Sequence, residues 1–283
     1  MKKNVILLLT PALLLSGGVF LAPFVWLLFS SFKVRAPGSL MLQEGVSLAN
    51  YRNLIADPFF ARVMLDTIVL SAITTIACLI IALPVSRFIV SRARAKSLLL
   101  ALTLVPLVSG ALLPALGLVH LLGPLGIVNG ILKELGLITS TLRLLGTKTG
   151  VVVGLIQSFL PLMILPLVNA MSRLPRDVED AAASLGAPPV TVFRRVVLPL
   201  SVPGIVAGSV LVFCACLTSF VTPQILGQGK IATFGIIAYQ QAALVLDWPF
   251  ASTLAVAMLA VLALCLFGAA GLQRLFSGNR RLA

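Results

Sequence analysis

Six stretches of this chain, roughly 5–30, 63–86, 97–121, 150–171, 201–222 and 250–273, are apolar for long enough to cross about 30 Å of hydrocarbon at about 1.5 Å per residue. None of them holds an acidic or basic side chain near its centre. In lipid, a run of this length meets its backbone hydrogen bonds by coiling into a helix. A composition that is 59% hydrophobic and 10% charged, with a mean hydropathy of +1.12, excludes a soluble domain of this size. The expected fold is therefore all-α: a polytopic membrane protein with six transmembrane helices.

The basic residues orient it. If both termini are cytoplasmic, the inner segments carry thirteen of the 21 Lys and Arg and three of the eight Asp and Glu. Thirteen minus three leaves the inner side at +10, and eight minus five leaves the outer side at +3, which together make the net +13. The positive-inside rule favours that topology. It also accounts for the basic balance without nucleic acid: Arg87, Arg92, Arg94 and Lys96 read as one short loop beside anionic lipid. Lys2 and Lys3 precede an apolar stretch longer than a signal core, and Pro23 follows Ala22 where a cleavage site would have to be, so this stretch reads as the first membrane helix. Cys78, Cys214, Cys216 and Cys265 all fall in the apolar runs, where they act as small packing residues; neither a disulfide framework nor a metal site is indicated.

Within the runs, Ser71, Thr74, Thr75 and Cys78 form a small-residue stripe on which a neighbouring helix can pack closely. Pro106, Gly110, Pro114 and Gly117 punctuate the third run, and Pro161 and Pro166 the fourth, so local breaks in hydrogen bonding are expected in both. Such interrupted helices suit the walls of a substrate path. His120, near the outer end of the third run, reads as an interfacial or hydrogen-bonded residue. Outside, residues 31–62 are expected to form a short surface helix around Tyr51, while 122–149 and 223–249 are Gly-rich and mixed.

One inner segment is unlike the rest. Arg173–Arg195 gathers four basic and three acidic residues between two membrane-length runs. Pro175 suits a first helical turn, Asp177, Glu179 and Asp180 place negative charge at its positive N-terminal end, and Gly186 can take the left-handed conformation that closes it. A helix over roughly 176–185 follows, with Val178, Ala181, Ala182 and Leu185 on one narrow apolar face fitted to a groove. Pro188 and Pro189 restart the chain into a second helix carrying Phe193, Arg194 and Arg195. Charge and periodicity alone leave open an ordinary amphipathic connector on the membrane surface.

The spacing goes further. Asp180-Ala181-Ala182, then Gly186, then Val196-x-Leu198-Pro199, resembles the cytoplasmic Glu-Ala-Ala loop of ABC importer permeases, with Asp for Glu and Val for Ile. Asp66-Thr67, Leu83-Pro84 with Arg87, Phe220–Gly227 and Asp247–Ser252 are similar to the spermidine/putrescine branch of that family. The resemblance implies a type I importer architecture: one transmembrane permease domain over 1–283, its core over about 60–273, with a coupling loop over about 173–200. It implies as partners a dimer of ABC ATPase subunits, a second permease copy or paralogue, a periplasmic substrate-binding protein docking on the outer loops, and the bilayer of the bacterial inner membrane. Coupling would fall to Asp180, Ala181, Ala182 and Gly186, with Val178, Leu185 and Phe193 as groove contacts. The branch and its relatives include carriers of polyamines, ferric iron, thiamine and aminophosphonates. For a polyamine the candidate path acids are Asp66 and Asp247, for which helix capping or loop anchoring is the other role open.

Energy has to come from elsewhere, because no phosphate-binding loop is present. Gly227-Gln-Gly229-Lys230 is followed by Ile231, and Gly146-Thr-Lys148-Thr149 lacks the preceding Gly. No carboxylate pair, Cys/His cluster or nucleophile elbow marks an enzyme, and no cofactor site is indicated. The competing classes are a secondary transporter driven by an ion gradient, against which the absence of ionisable residues at the span centres weighs, and a membrane scaffold or assembly protein, which composition leaves open.

Overall fold

The computed structural model describes residues 2–35, 45–92 and 94–278; Glu44, Arg280 and Arg281, counted in the charge balance above, lie outside them. Its regular elements among the described residues are helices. In chain order these are α1 (Lys2–Ser31), α2 (Ala49–Ala56), α3 (Pro58–Ser91), α4 (Lys96–Val108), α5 (Leu112–Leu122), α6 (Ile127–Glu134) and α7 (Lys148–Ser172). They continue as α8 (Arg176–Ser184), α9 (Pro189–Leu200), α10 (Val202–Thr218), α11 (Val221–Leu226), α12 (Phe234–Ala243) and α13 (Trp248–Gly278).

Four stretches are long and apolar enough to cross a membrane: Pro58–Ser91, Leu112–Glu134, Lys148–Ser172 and Trp248–Gly268. A fifth arises if α9 and α10, bent by 68°, count as one span, and α1 contributes the shorter apolar stretch Leu15–Ser31. The expected breaks fall unevenly. The third apolar run is interrupted: α4 ends at Val108, Gly110 turns left-handed at φ +72°, and the span-length stretch begins at Leu112 rather than Ser97. In the fourth run α7 continues through Pro161 and Pro166 as one helix, and the interruption is confined to the backbone hydrogen bonds that their missing N–H groups cannot make. A membrane helix tolerates a missing N–H where close neighbours support the freed backbone, and α7 has such neighbours in α10, α11 and α5.

The chain divides into two compact units, one taking the residues up to Arg62 with Ile237–Val261, the other Val63–Ile236 with the chain from Leu262 on. In the first unit, α2 is the expected surface helix around Tyr51. It is tied to the end of α1 by buried Asn50, whose amide donates to Lys33 O at 2.8 Å, and by a 2.7 Å hydroxyl contact between Tyr51 and Ser31.

The second unit holds the main core, with Met163, Ile164 and Leu167 of α7 at its middle and Val212 and Cys216 of α10 against them. Two glycines allow that contact. A Cβ at Gly204 would lie 2.6 Å from Ala170 Cβ and 2.8 Å from Pro166 O, and one at Gly208 would lie 2.7 Å from Met163 Sδ. This is the small-xxx-small packing by which membrane helices approach in the absence of a hydrophobic driving force. The stripe on α3 behaves as its composition predicts: Ser71, Thr74, Thr75 and Cys78 are all buried. Its hydroxyls are largely satisfied within the helix, Thr67 donating to Val63 O, Ser71 to Thr67 O and Thr75 to Ser71 O at 2.7–2.8 Å. Thr67 Oγ1 also accepts the N–H of Phe234 at 2.9 Å, fastening the segment before α12 to α3.

Candidate functional site

At the inner end of α7 the chain leaves its apolar run at Ser172, whose hydroxyl accepts a 2.8 Å bond from Lys96 Nζ. After Pro175 it forms α8, with Asp177 and Glu179 in the first turn, where they complement the helix dipole. The helix stops as the sequence dictates. Gly186 sits at φ +78°, Leu185 N–H reaches Ala181 O at 3.2 Å, and Ala187 N–H folds back to Ala182 O at 3.3 Å. That six-to-one bond around a left-handed glycine is a Schellman stop, and it satisfies a carbonyl the helix end would leave orphaned. Pro188 then runs extended, and Pro189 opens α9.

The second helix is irregular in its middle. Over Phe193–Val197 it widens to a π-type turn, with Leu198 N–H bonding Phe193 O, five residues back. Pro199 follows at once; its ring and missing N–H disrupt regular α-spacing. Phe193 is half-buried and packs against the chain's own core, so the structure gives it an anchoring position rather than an exposed one. Arg194 and Arg195 are exposed. At buried Ser201, whose hydroxyl bonds Val197 O, the chain turns by 68° into α10.

The apolar stripe of α8 is left uncovered. Leu185 is 89% and Val178 41% exposed, Asp180 and Ala181 are exposed, and Ala182 is half-buried. At 100° per residue, Glu179 lies about 100° from Val178 and about 60° from Ala182, on the flank of this stripe. There Arg87, near the end of α3, grips it through both fork atoms: Nη1 donates to Oε1 at 2.8 Å and Nη2 to Oε2 at 2.5 Å. Beside the pair lies a cleft of about 430 Å³ whose lining includes Lys96, Ser172 and Asp180. The sequence places Arg87 in a basic loop and beside Leu83-Pro84 in a stretch similar to the family, without a partner. No pattern in the chain could have paired it with a residue 92 positions away.

The two path candidates belong to different units. Asp66, on α3, is paired with Lys148 at 2.7 Å, so its charge is already partly offset. Asp247 accepts the N–H of Phe250 at 3.0 Å and caps α13. It also lines a cleft of about 550 Å³ in the first unit, together with Asp57, Asn50, Asn53, Gln241 and the rings of Phe60 and Phe250. Asp57 caps α3 in the same manner, accepting from Phe59 N–H at 2.8 Å. His120 is exposed on α5.

Comparison with known proteins bears on this arrangement as a whole. Residues 4–281 match the family described as binding-protein-dependent transport system inner membrane component. The chain is 34% identical over 263 residues to a spermidine/putrescine transport system permease protein of Haemophilus influenzae, covering 92% of this chain and 91% of that one. With the corresponding Escherichia coli protein the identity is 31% over 249 residues, covering 88% and 90%. A solved bacterial alginate ABC transporter, in complex with its pentasaccharide-bound periplasmic protein, has the same fold at a TM-score of 0.75 and 18% identity, covering 96% of each chain.

Proposed function

This chain belongs to the binding-protein-dependent transport system inner membrane component family, and on that premise we propose that its 176–198 segment is the element through which a separate ATPase drives it. It is a permease subunit of an ABC importer, a transport subunit rather than an enzyme. The observation that carries the coupling assignment is the uncovered stripe of α8: Val178 and Leu185 stand out from a helix whose flank is held to α3 through Glu179. A groove on a partner that accepts this stripe desolvates both apolar side chains, and the small Ala181 and Ala182 let it approach closely. Asp180 and Gly186 complete the contact, while Phe193 anchors the second helix to the permease core.

In this reading both termini and the 173–200 loop are cytoplasmic, and the chain forms one transmembrane domain with its core over about 60–273. One chain offers one such loop. A dimer of ATPase subunits presents two grooves, so a second permease, identical or paralogous, completes the assembly, and a periplasmic binding protein delivers solute to the outer face. Closure of the ATPase dimer on ATP displaces α8, and the attached helices switch a central cavity from outward-facing to inward-facing. The interrupted stretch around Gly110 and the α9–α10 corner supply places where such a switch can bend.

The proposed cargo is a polyamine-type cation. Relatives 31–34% identical over most of the chain carry spermidine/putrescine names. The cleft with Asp57, Asp247, three side-chain amides and two phenyl rings offers what an organic ammonium group uses: carboxylates, hydrogen-bond acceptors and aromatic faces. Asp66 contributes less, because Lys148 competes for it.

Asp247→Asn separates charge from capping, since Asn caps a helix about as well as Asp. In proteoliposomes holding the assembled importer and its binding protein, spermidine uptake per complex is expected to fall about two- to fivefold at low salt, the deficit shrinking as salt screens the lost attraction. Abundance and ATP hydrolysis stay near those of the parent. Unchanged uptake per complex would remove the residue-level support for a cationic cargo, and failure of the parent assembly to take up any polyamine would remove the cargo assignment itself.

A further inference from the structure

We infer that the Arg87–Glu179 pair is the link that carries movement of α8 into α3, so that both are positioning residues for transport. The inference rests on the coupling role proposed for α8. Apart from this pair, α8 packs chiefly against α9, its successor in the chain, so force entering α8 reaches sequence-distant structure through Glu179. The pair suits the task. A bidentate guanidinium–carboxylate contact fixes orientation as well as distance, which a single hydrogen bond does not. Glu179 is 22% exposed and Arg87 39%, so water screens the contact only in part.

What Arg87 grips is a long helix. α3 runs as one helix from Pro58 to Ser91, with Pro84 inside it three residues before Arg87, and the 21 residue steps from Asp66 to Arg87 span about 30 Å, roughly the hydrocarbon thickness. One end of this length holds Glu179; near the other, Thr67 holds the N–H of Phe234 and Asp66 holds Lys148. A displacement of α8 is thereby delivered to the two segments that meet the opposite end of α3, without passing through the bent α9–α10 corner. Lys96, bonded to Ser172 beside the same cleft, leaves the end of α7 tethered to α4 and outside this route.

The test uses the full complex of both permeases, ATPase and binding protein in proteoliposomes, with four variants: Arg87→Gln, Glu179→Gln, the exchange Arg87→Glu/Glu179→Arg, and Arg87→Lys. Each is scored for assembly, for solute uptake, and for ATP hydrolysis with and without binding protein. We expect the two neutralised variants to assemble as the parent does. Their uptake should fall about tenfold, and hydrolysis should lose its dependence on the binding protein. The exchange should restore both readouts at least in part, and Arg87→Lys, which keeps the charge and loses the fork, should fall between. Parent-like uptake in Arg87→Gln and Glu179→Gln overturns the inference, as does loss of assembly and uptake in proportion without recovery in the exchange, which makes the pair a static brace. Gly186→Val distinguishes the premise: if that variant is uncoupled while the pair variants are normal, the link is wrong and the coupling assignment stands. If it transports normally, the coupling assignment itself is lost.

Discussion

Replacing Gly186 by valine is expected to abolish uptake while leaving the chain in the membrane at parental abundance. The residue sits at φ +78°, where a β-branched side chain is strained by about 1–2 kcal/mol. That is enough to shift the end of α8 without unfolding a permease whose core lies elsewhere. A Cβ at this position meets nothing within 4 Å in the chain itself, so the permease leaves room for a side chain and any clash arises against a bound partner. Gly186→Asn separates the two effects, because Asn tolerates the left-handed region. If strain is the cause, the Asn variant transports. If the partner needs bare backbone, both variants fail and both release the ATPase during purification. Normal uptake by the valine variant at normal expression would contradict the coupling assignment.

The second large effect is on folding. Gly204→Val should destabilise the second unit by about 1–3 kcal/mol or more, because the new Cβ would fall 2.8 Å from the carbonyl of Pro166, and backbone yields less readily than a side chain. Gly208→Ala should cost less, since the nearest atom there is the Sδ of flexible Met163. Thermal unfolding in detergent, followed by loss of monodisperse protein, ranks the two. A Gly204→Val protein as stable as its parent would show that α7 and α10 are not held at this separation.

The two glycine sites also mark how far the sequence could be read. Around Gly186 every cue was local: a proline before the helix, acids in its first turn, a glycine after its last, then two prolines. Helix α8 forms where those cues put it, and its apolar stripe is left uncovered. The stripe from Ser71 to Cys78 was legible for the same reason, since period and residue size decide which face packs. Contacts that depend on distant chain were not legible. Arg87–Glu179, Asp66–Lys148 and Thr67–Phe234 join positions with no shared periodicity. The prolines of α7 foretell missing hydrogen bonds but not whether the helix continues through them, which neighbours help decide: glycines at 204 and 208 bring α10 against the helix at Pro166 and Met163. The short helices α6, α11 and α12 were likewise hidden in loops that composition described only as mixed.

The central claim is that α8 meets an ATPase on the cytoplasmic side, and a cysteine at its most exposed apolar position tests it most directly. In a background with the four native cysteines replaced, Leu185→Cys should cross-link to the ATPase subunit in the assembled importer. The yield should change when ATP closes the dimer, and the thiol should resist impermeant reagents applied to the outside of intact cells. A thiol at position 185 that is labelled from outside and never cross-links to the ATPase would contradict both the orientation and the mechanism.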